Sequence, residues 1–146
     1  MLVPVDFSAC SRAALEYAMQ LALPLEAPIE VLHVWEAPFY KGAEHTVAPG
    51  HPGHALPEVL MDETRAELDA FTSAIVGDRF VTRTLTAGAP ATVILEATAR
   101  CDLLVMGRHG RTGLSHLLFG SITEEVFKRV RCPILIVRRS DQPAST

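Results

Sequence analysis

Apolar residues along the chain repeat with two different spacings. Leu2 to Val5 form a short apolar run that predicts a first strand. Ala14, Leu15, Ala18, Met19 and Ala22 then recur at steps of three and four, the period of one helix face. Ser8 is placed to cap that helix, and Pro24 and Pro28 bracket its exit. Ile29 to Trp35 read as a second strand. Leu60, Thr64, Leu68, Phe71 and Ile75 return to the helical period, and Phe80 to Leu85 read as a third strand. Gly88-Ala89-Pro90 opens a short helix with proline in its first turn, and Val93, Ile94 and Ala97 supply its inner face. Leu103 to Met106 are uninterrupted apolar residues, as a central parallel strand requires. A last helix is expected from Ser121 to Arg131 with Ile122, Val126, Phe127 and Val130 inward, then a last strand from Pro133 to Val137. Residues 37–56, rich in proline, glycine and histidine, read as a mobile loop, and residues 141–146 as a frayed tail.

Strands alternating with helices predict an α/β domain, a doubly wound parallel sheet with helices on both faces. No repeat or linker divides the 146 residues. Such sheets take ligands at the carboxyl ends of the strands, where the strand order reverses. The segment after the fourth strand has the composition for that task. It runs Gly107-Arg-His-Gly110, continues through Arg111, and reaches Gly120-Ser121 at the mouth of the last helix. Glycines let a ligand approach the backbone and allow positive φ, while a helix amino end offers unpaired N–H groups and a positive dipole end. Arg108 and Arg111 add charge. The segment therefore reads as a phosphate cradle. Neither G-x-x-x-x-G-K-[ST] nor a G-x-G-x-x-G after the first strand is present, which argues against a common nucleotide-hydrolysing loop and a dinucleotide site.

Composition narrows the reading. Apolar residues make up 49% of the chain, too many for a disordered one. The formal net charge of −4 provides no general basic field for nucleic acid. No run approaches the roughly 20 apolar residues that span a bilayer, and Met1 to Asp6 lack the features of a signal peptide. A cytoplasmic protein is expected, with neither nucleic acid nor membrane as partner. Cys10, Cys101 and Cys132 are odd in number and widely spaced, which suggests reduced thiols packed as small apolar groups. His45, His51 and His54 have a spacing that can bind a metal, but they sit in the loop without rigid support, and disorder is the preferred reading. Ser8, His33 and Asp6 could suggest a hydrolase triad, yet no G-x-S-x-G elbow accompanies them.

Gly107-x2-Gly110-x9-Gly120-Ser121 resembles the G-2x-G-9x-G-[ST] signature of ATP-binding universal stress proteins. The opening Val-Pro-Val-Asp-Phe-Ser, Leu32-His33-Val34, Asp102 to Gly107 and Cys132 to Val137 resemble other motifs of that family, in the same order. Residues that members commonly carry before the first strand are absent, which is expected to shorten it. The resemblance implies strand order 3-2-1-4-5 and a switch point between strands one and four. It implies that Gly107, Gly110, Gly120 and Ser121 contact phosphate and ribose, that Val34 contacts adenine through its backbone, and that Asp6 lies beside the ribose and a bound magnesium ion. Pro4, Val5, Met106, Arg108, His109 and Ile122 complete the expected nucleotide-binding set. Asp6 could instead only cap the turn into the first helix, and His109 could be a solvated loop residue. The implied ligand is ATP, or AMP or ADP, with magnesium.

The implied function is a regulatory stress-response module with slow or no ATP hydrolysis. No catalytic residue is assigned, because no nucleophile-orienting group is visible and the only lysines are Lys41 and Lys128. The alternative is an ATP-dependent phospho- or adenylyltransferase using the same crevice. Pro133 to Val137 would be an edge strand with unpaired backbone groups, so pairing with a second copy is expected, giving a homodimer. A further, unidentified regulatory protein partner is expected.

Overall fold

The structure, a computed structural model, describes residues 1–36, 56–110 and 119–138. Within these, the chain runs β1 (Leu2–Pro4), α1 (Ala9–Leu25), β2 (Glu30–Trp35), α2 (Leu56–Val76), β3 (Thr82–Ala87) and α3 (Pro90–Ala97). A single 3-10 turn (Thr98–Arg100) follows, then β4 (Leu104–Gly107), α4 (Ser121–Arg129) and β5 (Ile134–Val137). The five strands are all parallel and lie in the order β3-β2-β1-β4-β5, as the resemblance implied. Most of the expected loop, with His45, His51 and His54, lies outside the described residues, as do Arg111 and the expected tail.

The central strands read as continuous apolar runs because both faces of the sheet are covered. Successive side chains of a strand point to opposite faces. Val3, Val31 and Val105 therefore enter one core layer, with Leu15 and Ala18 of α1 and Leu68 and Phe71 of α2. Leu2, Leu32 and Leu104 enter the other, with Ile94 of α3 and Val126 of α4. Each fully buried Leu or Val contributes about 1.5–3 kcal/mol relative to exposure.

Four details differ from the sequence reading. α1 continues through Pro24 to Leu25. Pro24 falls in the last turn, and the left-handed Glu26 (φ 48°) directly after it closes the helix, with Ala27 N–H donating to the Ala22 carbonyl at 3.1 Å. β3 starts at Thr82, not Phe80, because its register is set by six consecutive pairings with β2, from Glu30↔Thr82 to Trp35↔Ala87. Phe80 is left 93% exposed. On α3, Ala91 is buried with Ile94 and Ala97, whereas Val93 is only half-buried. On α4 the inner face is Thr123 and Val126, while Ile122 and Phe127 are 40% and 50% exposed. Phe127 stacks instead on Phe119, with ring centroids 5.7 Å apart. Among the described residues, no helix is long and apolar enough to cross a membrane.

Candidate functional site

β1 and β4 lie side by side at the centre of the sheet, but their crossovers leave on opposite faces. α1 packs on the layer containing Val3 and Val105, and α4 on the layer containing Leu2 and Leu104. A crevice opens where these connections part. It is a cleft of about 560 Å³, within the range that holds small ligands.

On the β1 side, Val5 N–H donates to the Leu32 carbonyl at 2.8 Å, carrying the sheet one residue past the strand. The chain then turns sharply through Phe7, a non-glycine residue at φ 64°. Two contacts hold this turn. Ser8 N–H donates to Asp6 Oδ1 at 3.1 Å, and Ser8 Oγ caps α1 by accepting from Ser11 N–H at 3.1 Å. Asp6 thus caps the turn, as one reading of the sequence expected, and it also lines the cleft. Beneath it, His33 is buried with Nδ1 2.7 Å from the Val5 carbonyl. A carbonyl oxygen can only accept, so Nδ1 carries the proton. The Phe7 ring stacks on this imidazole at 4.3 Å. Backbone strain at residue 7 is in this way matched by local packing.

On the β4 side, the three glycines do three different things. A Cβ at Gly107 would lie 2.7 Å from the Cys10 carbonyl carbon, so glycine there lets the start of α1 approach the end of β4. A Cβ at Gly110 would lie 2.7 Å from Asp6 Oδ2, so glycine there lets the loop backbone sit against the carboxylate. Gly120 is the N-cap of α4 at φ −67° and ψ 156°, a conformation open to any residue. Its N–H donates to the Arg108 carbonyl at 2.9 Å. The positive φ anticipated for this signature is not found at these three positions. Among the described glycines, only Gly77 and Gly88 have it.

The first return bond of α4 is Glu124 N–H to the Gly120 carbonyl, at 2.8 Å. The amides of Ser121, Ile122 and Thr123 therefore have no acceptor within the helix. All three residues line the cleft. Thr123 also donates its hydroxyl proton to the Gly107 carbonyl at 3.1 Å, pinning the helix start to the end of β4. The amino end of α4 is left as a set of N–H donors with a partial positive charge.

Eleven of the twelve residues singled out from the sequence line this cleft: Pro4, Val5, Asp6, Val34, Met106, Gly107, His109, Gly110, Gly120, Ser121 and Ile122. Arg108 is not in the lining. Its N–H donates to the Val137 carbonyl at 2.9 Å, and its carbonyl receives the Gly120 N–H, so its backbone ties β5 to α4. Among the lining residues that sequence reasoning missed are Phe7, His33, Leu32, Thr123, and Pro90 and Ile94 of α3. The left-handed backbone of Phe7 has no sequence signature. Thr123 is polar, so the apolar spacing of the last helix does not mark it as an inward position. Among the described residues, no three His, Cys, Asp or Glu side chains are placed to hold a metal ion by themselves.

The sequence profile described as the universal stress protein family matches residues 1–138. Universal stress protein YxiE of Bacillus subtilis is 31% identical over 94% of this chain and 97% of its own length. Among solved structures, universal stress protein UspA from Lactobacillus plantarum superposes with a TM-score of 0.73 at 24% identity, covering 94% of this chain and 95% of that one. A universal stress protein solved in complex with cAMP superposes with a TM-score of 0.60 at 24% identity, covering 95% and 96%.

Proposed function

This chain belongs to the universal stress protein family, and we propose that its cleft binds an adenine nucleotide, ATP with magnesium in the first place, to regulate a protein partner. The observation that supports this most is the meeting, in one cleft, of the open amino end of α4, the Gly107–Gly110 backbone and the Asp6 carboxylate. Phosphates match the amides of Ser121, Ile122 and Thr123, where backbone donors and helix dipole act together. The apolar part of the lining, with Val5, Leu32, Val34, Met106 and Ile94, suits a flat base. The protein in complex with cAMP shows that this fold can hold an adenine nucleotide; at 24% identity the likeness to it is one of fold.

The cleft fits magnesium only as an ion carried by the nucleotide. Magnesium keeps several waters and is commonly held by one or two carboxylates plus substrate phosphates. Asp6 supplies such a carboxylate, with Oδ1 already accepting from Ser8 N–H. The ion would offset phosphate charge beside Asp6, while the chain's own residues orient the nucleotide. Turnover is expected to be slow or absent, with the bound state itself as the signal. An acid-quenched extract of natively purified protein tests the reading. Close to one adenine nucleotide per chain supports it. An extract without nucleotide, together with no saturable heat on ATP titration, overturns it.

A further inference from the structure

Cys101 and Cys132 are 31 residues apart in sequence, yet their sulfurs stand 3.8 Å apart. Cys101 follows the 3-10 turn and precedes β4, its N–H donating to the Thr98 carbonyl at 3.3 Å. Cys132 lies between α4 and β5. Next to the pair, Leu104 N–H donates to the Pro133 carbonyl at 2.9 Å, so backbone bonding already holds the two strand starts together. Both thiols are half-buried against the core layer beneath α3 and α4. The pair sits at the amino ends of the strands, opposite the cleft. The wide sequence spacing that pointed to separate, inert thiols conceals this contact.

We propose that Cys101 and Cys132 are a dithiol switch, which a hydroperoxide converts to an intramolecular disulfide. A disulfide needs its sulfurs about 2.05 Å apart, so these two must close by roughly 1.8 Å. Burial, with the neighbouring Cys132 sulfur second, pushes the Cys101 thiol up to about 11. The reaction starts from the thiolate of one cysteine of the pair. It attacks one peroxide oxygen and the O–O bond breaks. That cysteine becomes a sulfenic acid, and the other oxygen takes a proton and leaves as an alcohol, which is water when the oxidant is hydrogen peroxide. The sulfur of the second cysteine then attacks the sulfenic sulfur, and the sulfenic hydroxyl departs with the second thiol's proton as water. In total, two thiols and one hydroperoxide give one disulfide, one alcohol and one water.

The new bond closes a ring containing β4, Gly107, Gly110 and the whole of α4. Oxidation therefore fastens the ends of the segment that carries Gly107, Gly110 and Gly120 of the cleft, and it narrows the unfolded ensemble of that segment. Cys10, at the start of α1 beside Gly107, is an internal control outside the ring.

The test uses the full chain, first reduced and then treated with stoichiometric hydrogen peroxide. Intact mass and non-reducing peptide maps are read together with the melting temperature. The switch predicts a mass lower by two hydrogens and a Cys101 peptide joined to a Cys132 peptide of the same chain. It also predicts a rise in melting temperature of roughly 5 °C or more, reversed by dithiothreitol. Cys10→Ser should behave the same way, and Cys101→Ser should lose both changes. Three results overturn the proposal: both thiols persisting or passing to sulfinic acid, a bond that joins Cys10 or two chains, or the expected bond with no change in melting temperature.

Discussion

At the level of single residues, the glycine signature divides into positions with different physics. Gly107 faces the backbone of Cys10, which cannot move aside as a side chain can. Gly107→Ala should therefore cost about 1–3 kcal/mol of stability through overpacking, read as a lower urea midpoint. Gly110 faces Asp6 Oδ2. Gly110→Ala should displace the carboxylate and weaken ATP binding in the presence of magnesium more than it weakens the fold, which calorimetry with and without the metal would separate. Gly120 has ordinary dihedrals, and a Cβ there meets its nearest backbone atoms at 3.4 Å. Gly120→Ala should accordingly leave stability within about 1 kcal/mol of the parent. The spacing of the three glycines was legible in the sequence, but these separate duties were not, because they depend on what α1 and Asp6 bring against each position. The Cys101 thiol also makes a prediction. It is raised from 9.0 to about 11, chiefly by burial and then by Cys132. The unfolded thiol ionises first as pH rises, so the folded state holds a proton that the unfolded chain has lost. This contribution is intact below about pH 9 and is lost as pH climbs towards 11. In reducing buffer, Cys101→Ser should flatten the fall in melting temperature across that window.

Elements were legible wherever both faces of a strand, or one whole stripe of a helix, are apolar. β1, β2 and β4 are buried on both sides, and their runs of Leu and Val placed them to within a residue or two. The stripe on α1 was also read correctly, with Ala14, Leu15, Ala18, Met19 and Ala22 all buried. Edge elements carry a weaker signal. β3 is Thr-Arg-Thr-Leu-Thr-Ala, so the apolar pair Phe80-Val81 drew the expected boundary two residues early. α4 was turned about its axis because its inner face opens with Thr123, whose polar group is needed by the Gly107 carbonyl. Two consequences can be measured by chemical denaturation. Val126→Ala, at a fully buried position, should destabilise by about 1–3 kcal/mol. Phe127→Ser, on the exposed face, should cost about 1 kcal/mol or less. Equal losses would mean that α4 packs as its apolar count suggests and not as found here.

For the molecule as a whole, the parallel α/β architecture followed from the alternation of periods, and the strand order followed from the family resemblance. Topology then draws together residues scattered from Pro4 to Ile122, because the carboxyl ends of parallel strands share one edge of the sheet. The same order leaves β5 at an edge, its four residues all half-buried. Pairing with a second copy would cover them, so sedimentation at micromolar concentration should give a dimer, whereas a monomer would remove that expectation. The account depends above all on where a nucleotide sits. A titration of isotope-labelled protein with magnesium-ATP, followed by backbone amide resonances, reads this residue by residue. The largest saturable shifts should fall on Ser121, Ile122, Thr123, Gly110, Asp6 and Val34. Shifts confined to other parts of the chain, or none at millimolar ATP, would contradict the account.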